Sequence, residues 1–114
     1  MTRRYAEEER LSGAVHHGGV LYLAGQVADD TTLDTEGQTA DILRQIDALL
    51  AEAGTDKTKL LSVQIFLTDI TESAAMNRAW DAWLDKRHKP ARATVEAKLV
   101  NPDWKVEITA IAAC

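Results

Sequence analysis

The chain has 114 residues, 46% of them apolar and 27% charged, and 13 Lys and Arg stand against 18 Asp and Glu for a formal charge of −5. That length fits one domain over residues 1–114 with a real core, and the acidic balance without a long Lys/Arg cluster excludes a general nucleic-acid binder. A single cysteine, Cys114, excludes an internal disulfide framework and a cysteine-based zinc site; with no apolar run of spanning length and charges where a signal peptide needs apolar residues, a cytoplasmic protein with no membrane partner is expected.

Arg3-Arg4 followed by Glu7-Glu8-Glu9 reads as a solvated, self-compensating end. Leu11–His17 and Val20–Ala24 are short extended runs joined at Gly18-Gly19, a hairpin whose glycines supply the left-handed turn positions. Val20–Ala24 is apolar at every position, which places it centrally in a sheet. His16 and His17 are adjacent in a strand and point to opposite faces, so they flank a turn rather than share an ion. Gln26–Glu36 is a polar loop, and its Asp29, Asp30 and Asp34 lack the alternating order of a calcium loop. Thr35-Glu36-Gly37-Gln38 has the form of a capping box and predicts a helix start. Ile42, Leu43, Ile46, Leu49, Leu50 and Ala53 then follow at helical spacing, and Gly54 predicts the stop.

Leu60–Thr68 predicts a strand with Leu61, Val63, Ile65 and Leu67 on one side and Ser62, Gln64 and Phe66 on the other. Asp69-Ile70-Thr71-Glu72 offers a second capping box, and Met76, Ala79, Trp80, Trp83 and Leu84 form the stripe of a second helix, with both tryptophans as core fillers. Asn77 lies beside that stripe. Pro90 forces any helix to end before it and lets an extended segment begin after it. In that segment Ala93, Val95, Ala97 and Leu99 share one face, and Arg92, Thr94, Glu96 and Lys98 share the other. Arg92 therefore brings a planar fork of donors, suited to a carboxylate or phosphate, to the mouth of a strand. A solvent-facing strand arginine has the same spacing, so spacing alone leaves both readings open. Asn101-Pro102-Asp103 is a turn, and Lys105–Ala113 is the last strand, with Glu107, Thr109 and Ile111 on one face. If the last two strands pair, Glu107 lies opposite Arg92, as an ion pair or as part of a site.

The order is strand, strand, helix, strand, helix, strand, strand, an α+β domain of one sheet with two helices on one face. Apolar residues on both strand parities (Leu21 and Tyr22, Val63 and Phe66, Ile108 and Ile111) predict that the other face is covered by subunit contact.

Four stretches together resemble the Rid family, the reactive-intermediate deaminases also known as the YjgF or L-PSP endoribonuclease family: Tyr22–Val27, Val63–Asp69, Pro90–Glu96 and Val106–Ala112. The resemblance implies a chorismate-mutase-like fold with a single mixed sheet, a homotrimer with ligand clefts between subunits, and hydrolytic deamination of small enamine or imine substrates without metal or organic cofactor. It implies that Arg92 clamps the substrate carboxylate, that Glu107 positions the attacking water, and that Asn77, Gly25 and Thr94 line the cleft. Two positions depart from the family pattern: Leu11 stands where its best-studied deaminases carry a tyrosine, and Thr94 stands where a cysteine is frequent. A trimeric carboxylate-binding module without turnover is the alternative that those departures leave open.

Overall fold

All of residues 1–114 are described by the computed structural model, and its first strand, β1 (Arg3–Glu7), corrects the reading of that segment as a mere solvated end. Its charges face outward around one inward residue, Tyr5, which is 6% exposed and lies opposite Ala14. Charged flanks on an edge strand also discourage pairing with a further chain.

The expected hairpin forms between β2 (Ser12–His17) and β3 (Val20–Val27), with Gly18 at φ 60° and Gly19 at φ 78° in the tight turn. Helix α1 (Thr35–Glu52) follows the polar loop. Its cap is Asp34 rather than Thr35: the Gly37 N–H donates to Asp34 Oδ1 at 2.8 Å, and Thr35 is already helical and buried. Nor does Gln38 reach back as a capping box requires. Its fully buried amide donates to the carbonyls of Thr31, Leu33 and Asp103 and accepts from the Lys105 N–H at 2.9 Å, pinning the loop to the approach of the last strand. At the other end Gly54 takes φ 87°, and the Thr55 N–H closes on the Leu50 carbonyl at 2.9 Å.

Strand β4 (Leu60–Leu67) departs from strict alternation at its start, where the pairing with the last strand shifts between Leu60 and Ser62. Leu60 consequently turns inward and Leu61, expected on the core side, is 50% exposed. The second capping box is also corrected. Asp69 caps a single 3₁₀ turn, Ile70–Glu72, and α2 (Ser73–Trp83) begins after it with no side-chain cap of its own. Met76, Ala79 and Trp80 are buried as expected, and Trp83 and Leu84 pack on the core margin.

Strands β5 (Ala91–Glu96) and β6 (Val106–Ala113) complete a six-stranded mixed sheet in the order β1-β2-β3-β6-β4-β5. β6 runs antiparallel to both neighbours, whereas β4 and β5 are parallel and joined through α2. Ladder partners share a face, so Tyr5, Ala14, Leu23, Ala110, Val63 and Arg92 form one continuous row across the sheet. Both helices cover that side, with Ile42, Leu43 and Ile46 of α1 and Met76 and Trp80 of α2 buried over Leu21, Ile65 and Ile108. The opposite face carries no helix. Tyr22 is 49% exposed there, in ladder with Val15 and Ile111, and Val95 is 40% exposed beside Phe66. No helix is long and apolar enough to cross a membrane.

Candidate functional site

Arg92 stands where the buried row runs out at the sheet edge. The five preceding members of that row are apolar core residues, and the sixth position is left beside α2 with nothing beyond it. Met76, Asn77 and Trp80 meet it there, because Trp80 lies four places after Met76 and three after Asn77, spacings that bring helix side chains to neighbouring positions. The Arg92 Nη1 donates to Asn77 Oδ1 at 2.8 Å, lies 4.0 Å from Met76 Sδ, and its guanidinium carbon sits 5.2 Å from the Trp80 ring centroid. The fork is thus held on one flank by an amide oxygen and an aromatic face, and its other N–H groups remain available. No carboxylate pairs with it: the chain's ion pairs are Glu9–Arg10, Asp41–Arg44, Glu36–Arg78 and Asp85–His88.

Thr94 shares the face of Arg92, in ladder with Ile65, and its Oγ1 is buried with no hydrogen-bond partner. Glu96, next on that face, accepts the Ile70 N–H at 3.0 Å and ties the end of β5 to the turn that opens α2.

Glu107 belongs to the other side of the sheet. It lies in ladder with Val27 and Phe66, and β4 separates its strand from β5. The expectation that Glu107 faces Arg92 across paired strands is therefore corrected: the two side chains project from opposite faces of one protomer, and no ion pair joins them. Gly25 is Glu107's close neighbour instead. The β3–β6 pairing shifts register between Leu23 and Gln26, and a Cβ added to Gly25 would stand 2.8 Å from Glu107 Cδ and closer still to its Oε2. The predicted residues accordingly fall into two half-sites, Arg92, Asn77 and Thr94 at the β5 edge, and Glu107 with Gly25 on the uncovered face.

A cavity of about 510 Å³ borders Gly25. Leu11, Val27, Trp104 and the α1 residues Gln45, Ala48 and Leu49 line it, so it lies on the helix-covered side of the sheet and Glu107 is not part of its wall. A second groove, about 550 Å³, lies between α1 and α2 over Gly37, Ala40, Ala79 and Ala82, and touches neither half-site.

No three His, Cys, Asp or Glu side chains converge in a metal-binding group. His17 Nδ1 meets Thr2 Oγ1 at 2.8 Å, and Asp30 is engaged by the Thr32 N–H and hydroxyl. Those bonds hold the Asp30 carboxyl below its ordinary range, the hydroxyl first, and the same arrangement holds Asp56 through Thr58 and Asp69 through Thr71. The residue that sequence reasoning placed only in the core is Trp80, which also underlies Arg92. Its spacing of three from Asn77 was the available signal.

The family profile described as Endoribonuclease L-PSP matches residues 1–114. A RutC family protein of Haemophilus influenzae is 46% identical over 113 residues, covering 98% of this chain and 97% of that protein. Among solved structures, a member of the YjgF protein family from Neisseria meningitidis is 42% identical with a TM-score of 0.96, covering 99% of this chain and 94% of its own. A protein of the Rid family from Yersinia pestis is 33% identical with a TM-score of 0.87, covering 95% and 90%.

Proposed function

The chain belongs to the Endoribonuclease L-PSP family, to which its RutC, YjgF and Rid relatives lead, and on that premise we propose that it hydrolyses small 2-imino acids to 2-oxo acids and ammonia in clefts between three copies of itself. The observation that carries this reading is the Arg92 guanidinium, fixed by Asn77 and Trp80 yet without a carboxylate of its own. Such a fork accepts a planar carboxylate in two parallel hydrogen bonds, and it does so in one orientation because its other flank is already held. Glu107 supplies the second group. Its carboxylate takes a proton from water as the oxygen bonds to the C=N carbon; the proton passes to nitrogen, and the resulting carbinolamine expels ammonia as the C=O forms.

One protomer cannot bring these parts together, since they stand on opposite faces of its sheet. The cleft therefore pairs the β5 edge of one copy with the Glu107 and Gly25 face of its neighbour. The uncovered apolar face around Tyr22 and Ile111 supports that assembly, because burying it against a second copy removes it from water. The test is to generate 2-iminopropanoate with an amino-acid oxidase and follow its decay. Arg92→Ala is expected to lose roughly 10- to 150-fold in kcat/KM, the equivalent of about 1.5–3 kcal/mol for hydrogen bonds to a charged group. Equal rates remove Arg92 from the mechanism.

Leu11, in the place of the tyrosine of the best-studied deaminases, favours a second reading, a binding module that retains the Arg92 clamp without turnover. It predicts that 2-oxo acids raise the melting temperature while imines decay at the uncatalysed rate. Ribonuclease activity, which the family description names, fits poorly with a charge of −5 and with no cluster of Lys and Arg at either half-site.

A further inference from the structure

Resting on the imine-hydrolase reading, we infer that Lys86, Arg87 and Lys89, backed by Lys57 and Lys59, form a cationic collar that draws the anionic substrate toward Arg92 without touching it. No Lys or Arg joins Arg92 within its half-site, but the sheet end beside it gathers them. Strands β4 and β5 are parallel and start level, with Ser62 opposite Ala91, so the segments that lead into them emerge at the same end. One is the 3₁₀ turn Lys57–Lys59, and the other is the loop between α2 and β5. Lys57 Nζ fastens the two together, donating to the Trp83 carbonyl and lying 5.1 Å from the Trp83 ring centroid. Asp56 is near enough to feel the charges of both Lys59 and His88. Neither segment is a long basic run by itself; the parallel pairing adds one to the other.

Five of the chain's 13 Lys and Arg lie in residues 56–59 and 85–89, against two of its 18 Asp and Glu, so this end is positive while the rest of the chain is more acidic than its formal charge of −5 shows. The two acids are already engaged. Asp56 accepts from the Thr58 N–H and hydroxyl, and Asp85 accepts from the Arg87 N–H at 2.9 Å, with His88 Nδ1 3.2 Å away. None of the five cations belongs to an ion pair, and Lys59, Lys86, Arg87 and Lys89 are exposed, so their field reaches into solvent. Lys89 precedes the start of β5 by one proline, and Arg92 is the second residue of that strand. A carboxylate approaching this acidic protein is repelled by most of its surface and attracted at the end where Arg92 enters the sheet. The collar therefore favours anionic imines over neutral ones by concentrating them where the guanidinium stands.

The experiment measures kcat/KM for 2-iminopropanoate, with the purified protein in its native assembly, at low and at physiological salt. For charges roughly 10 Å apart, reversing one cation weakens the attraction for a monoanion about fourfold at about 10 mM NaCl and only about 1.5-fold at about 150 mM. Lys86→Glu and Lys89→Glu are each expected to show those losses, carried by KM with kcat unchanged. Arg44→Glu changes the net charge equally but lies on α1, beside the groove that touches neither half-site, and is expected to match the wild type at both salts. The grip of Arg92 on a carboxylate is itself sensitive to salt, so the variants decide the matter and salt alone does not. Lys86→Glu and Lys89→Glu that equal the wild type at low salt, a loss that persists undiminished at high salt, a loss in kcat rather than KM, or an equal loss in Arg44→Glu overturns the inference. Should the wild type hydrolyse no imine, the catalytic reading fails by itself, and calorimetry with pyruvate decides the collar. Its affinity at low salt must then fall in Lys86→Glu and Lys89→Glu and hold in Arg44→Glu; equal affinities or no binding overturn it.

Discussion

Gly25→Ala separates the chemistry of Glu107 from the stability of the fold. The added methyl would stand 2.8 Å from Glu107 Cδ, where ordinary van der Waals contact requires 3.4–4 Å. Something must yield by about 1 Å. The strand backbone has little reason to, since Gly25 is not among the glycines at positive φ and alanine suits its conformation. The Glu107 side chain, half-buried on a face with no helix over it, moves instead. Folding stability should stay within about 1 kcal/mol of wild type, the lost backbone freedom of the unfolded chain offsetting the contact. Activity should not, because a displacement of about 1 Å at a reacting group costs on the order of 10²-fold in rate. The assay is kcat/KM for 2-iminopropanoate alongside the melting temperature of the same preparation. Turnover within about threefold of wild type, with melting unchanged, refutes the claim that Glu107 acts from beside Gly25. A fall in stability of more than about 3 kcal/mol refutes the claim that Glu107 is the part that yields.

Two further outcomes test the assembly and the acid limb. Tyr22→Asp puts a charge in the middle of the uncovered face, where about half of an aromatic surface awaits burial, about 2 kcal/mol per protomer. Sedimentation is expected to show a trimer for the wild type and a smaller species for the variant; a monomeric wild type, or a variant that remains trimeric, refutes the intersubunit cleft. The Asp30, Asp56 and Asp69 carboxyls lie below their ordinary 3.8 in the folded chain, chiefly through the hydroxyls of Thr32, Thr58 and Thr71. Since the unfolded state binds these protons first, their stabilisation is complete above that value and is lost as pH falls through the lower folded values. Melting temperature followed downward from pH 5 should drop below about pH 4, and less steeply for Thr58→Val, which removes the bond to Asp56. An identical slope for that variant refutes the assignment.

Elements built from neighbouring residues are legible in the sequence. The Gly18-Gly19 hairpin, the stripe from Ile42 to Leu50, the stop at Gly54 and the parity of Arg92 and Thr94 against Ala93 and Val95 all depend on side-chain periods of 3.6 and 2 or on backbone torsions. Their causes lie within a few residues, so their signals do too. The same local rules erred where a competing neighbour lay one residue away, as with Asp34 displacing Thr35 at the cap and Leu60 displacing Leu61 at the start of β4. The strand hidden in Arg3–Glu7 has one apolar inward residue of size, and its partner, β2, comes later in the chain. Which strand lies beside which was a tertiary decision. β6 inserts between β3 and β4 because its alternate Val106, Ile108, Ala110 and Ala112 complete the core from both sides. That insertion, not any local motif, puts Arg92 at an edge, turns Glu107 to the opposite face, and sets Gly25 against it. The sequence by itself determined which residues carry donors, acids and apolar stripes, and only long-range pairing, whose free energy depends on residues far apart in the chain, decided which of them meet.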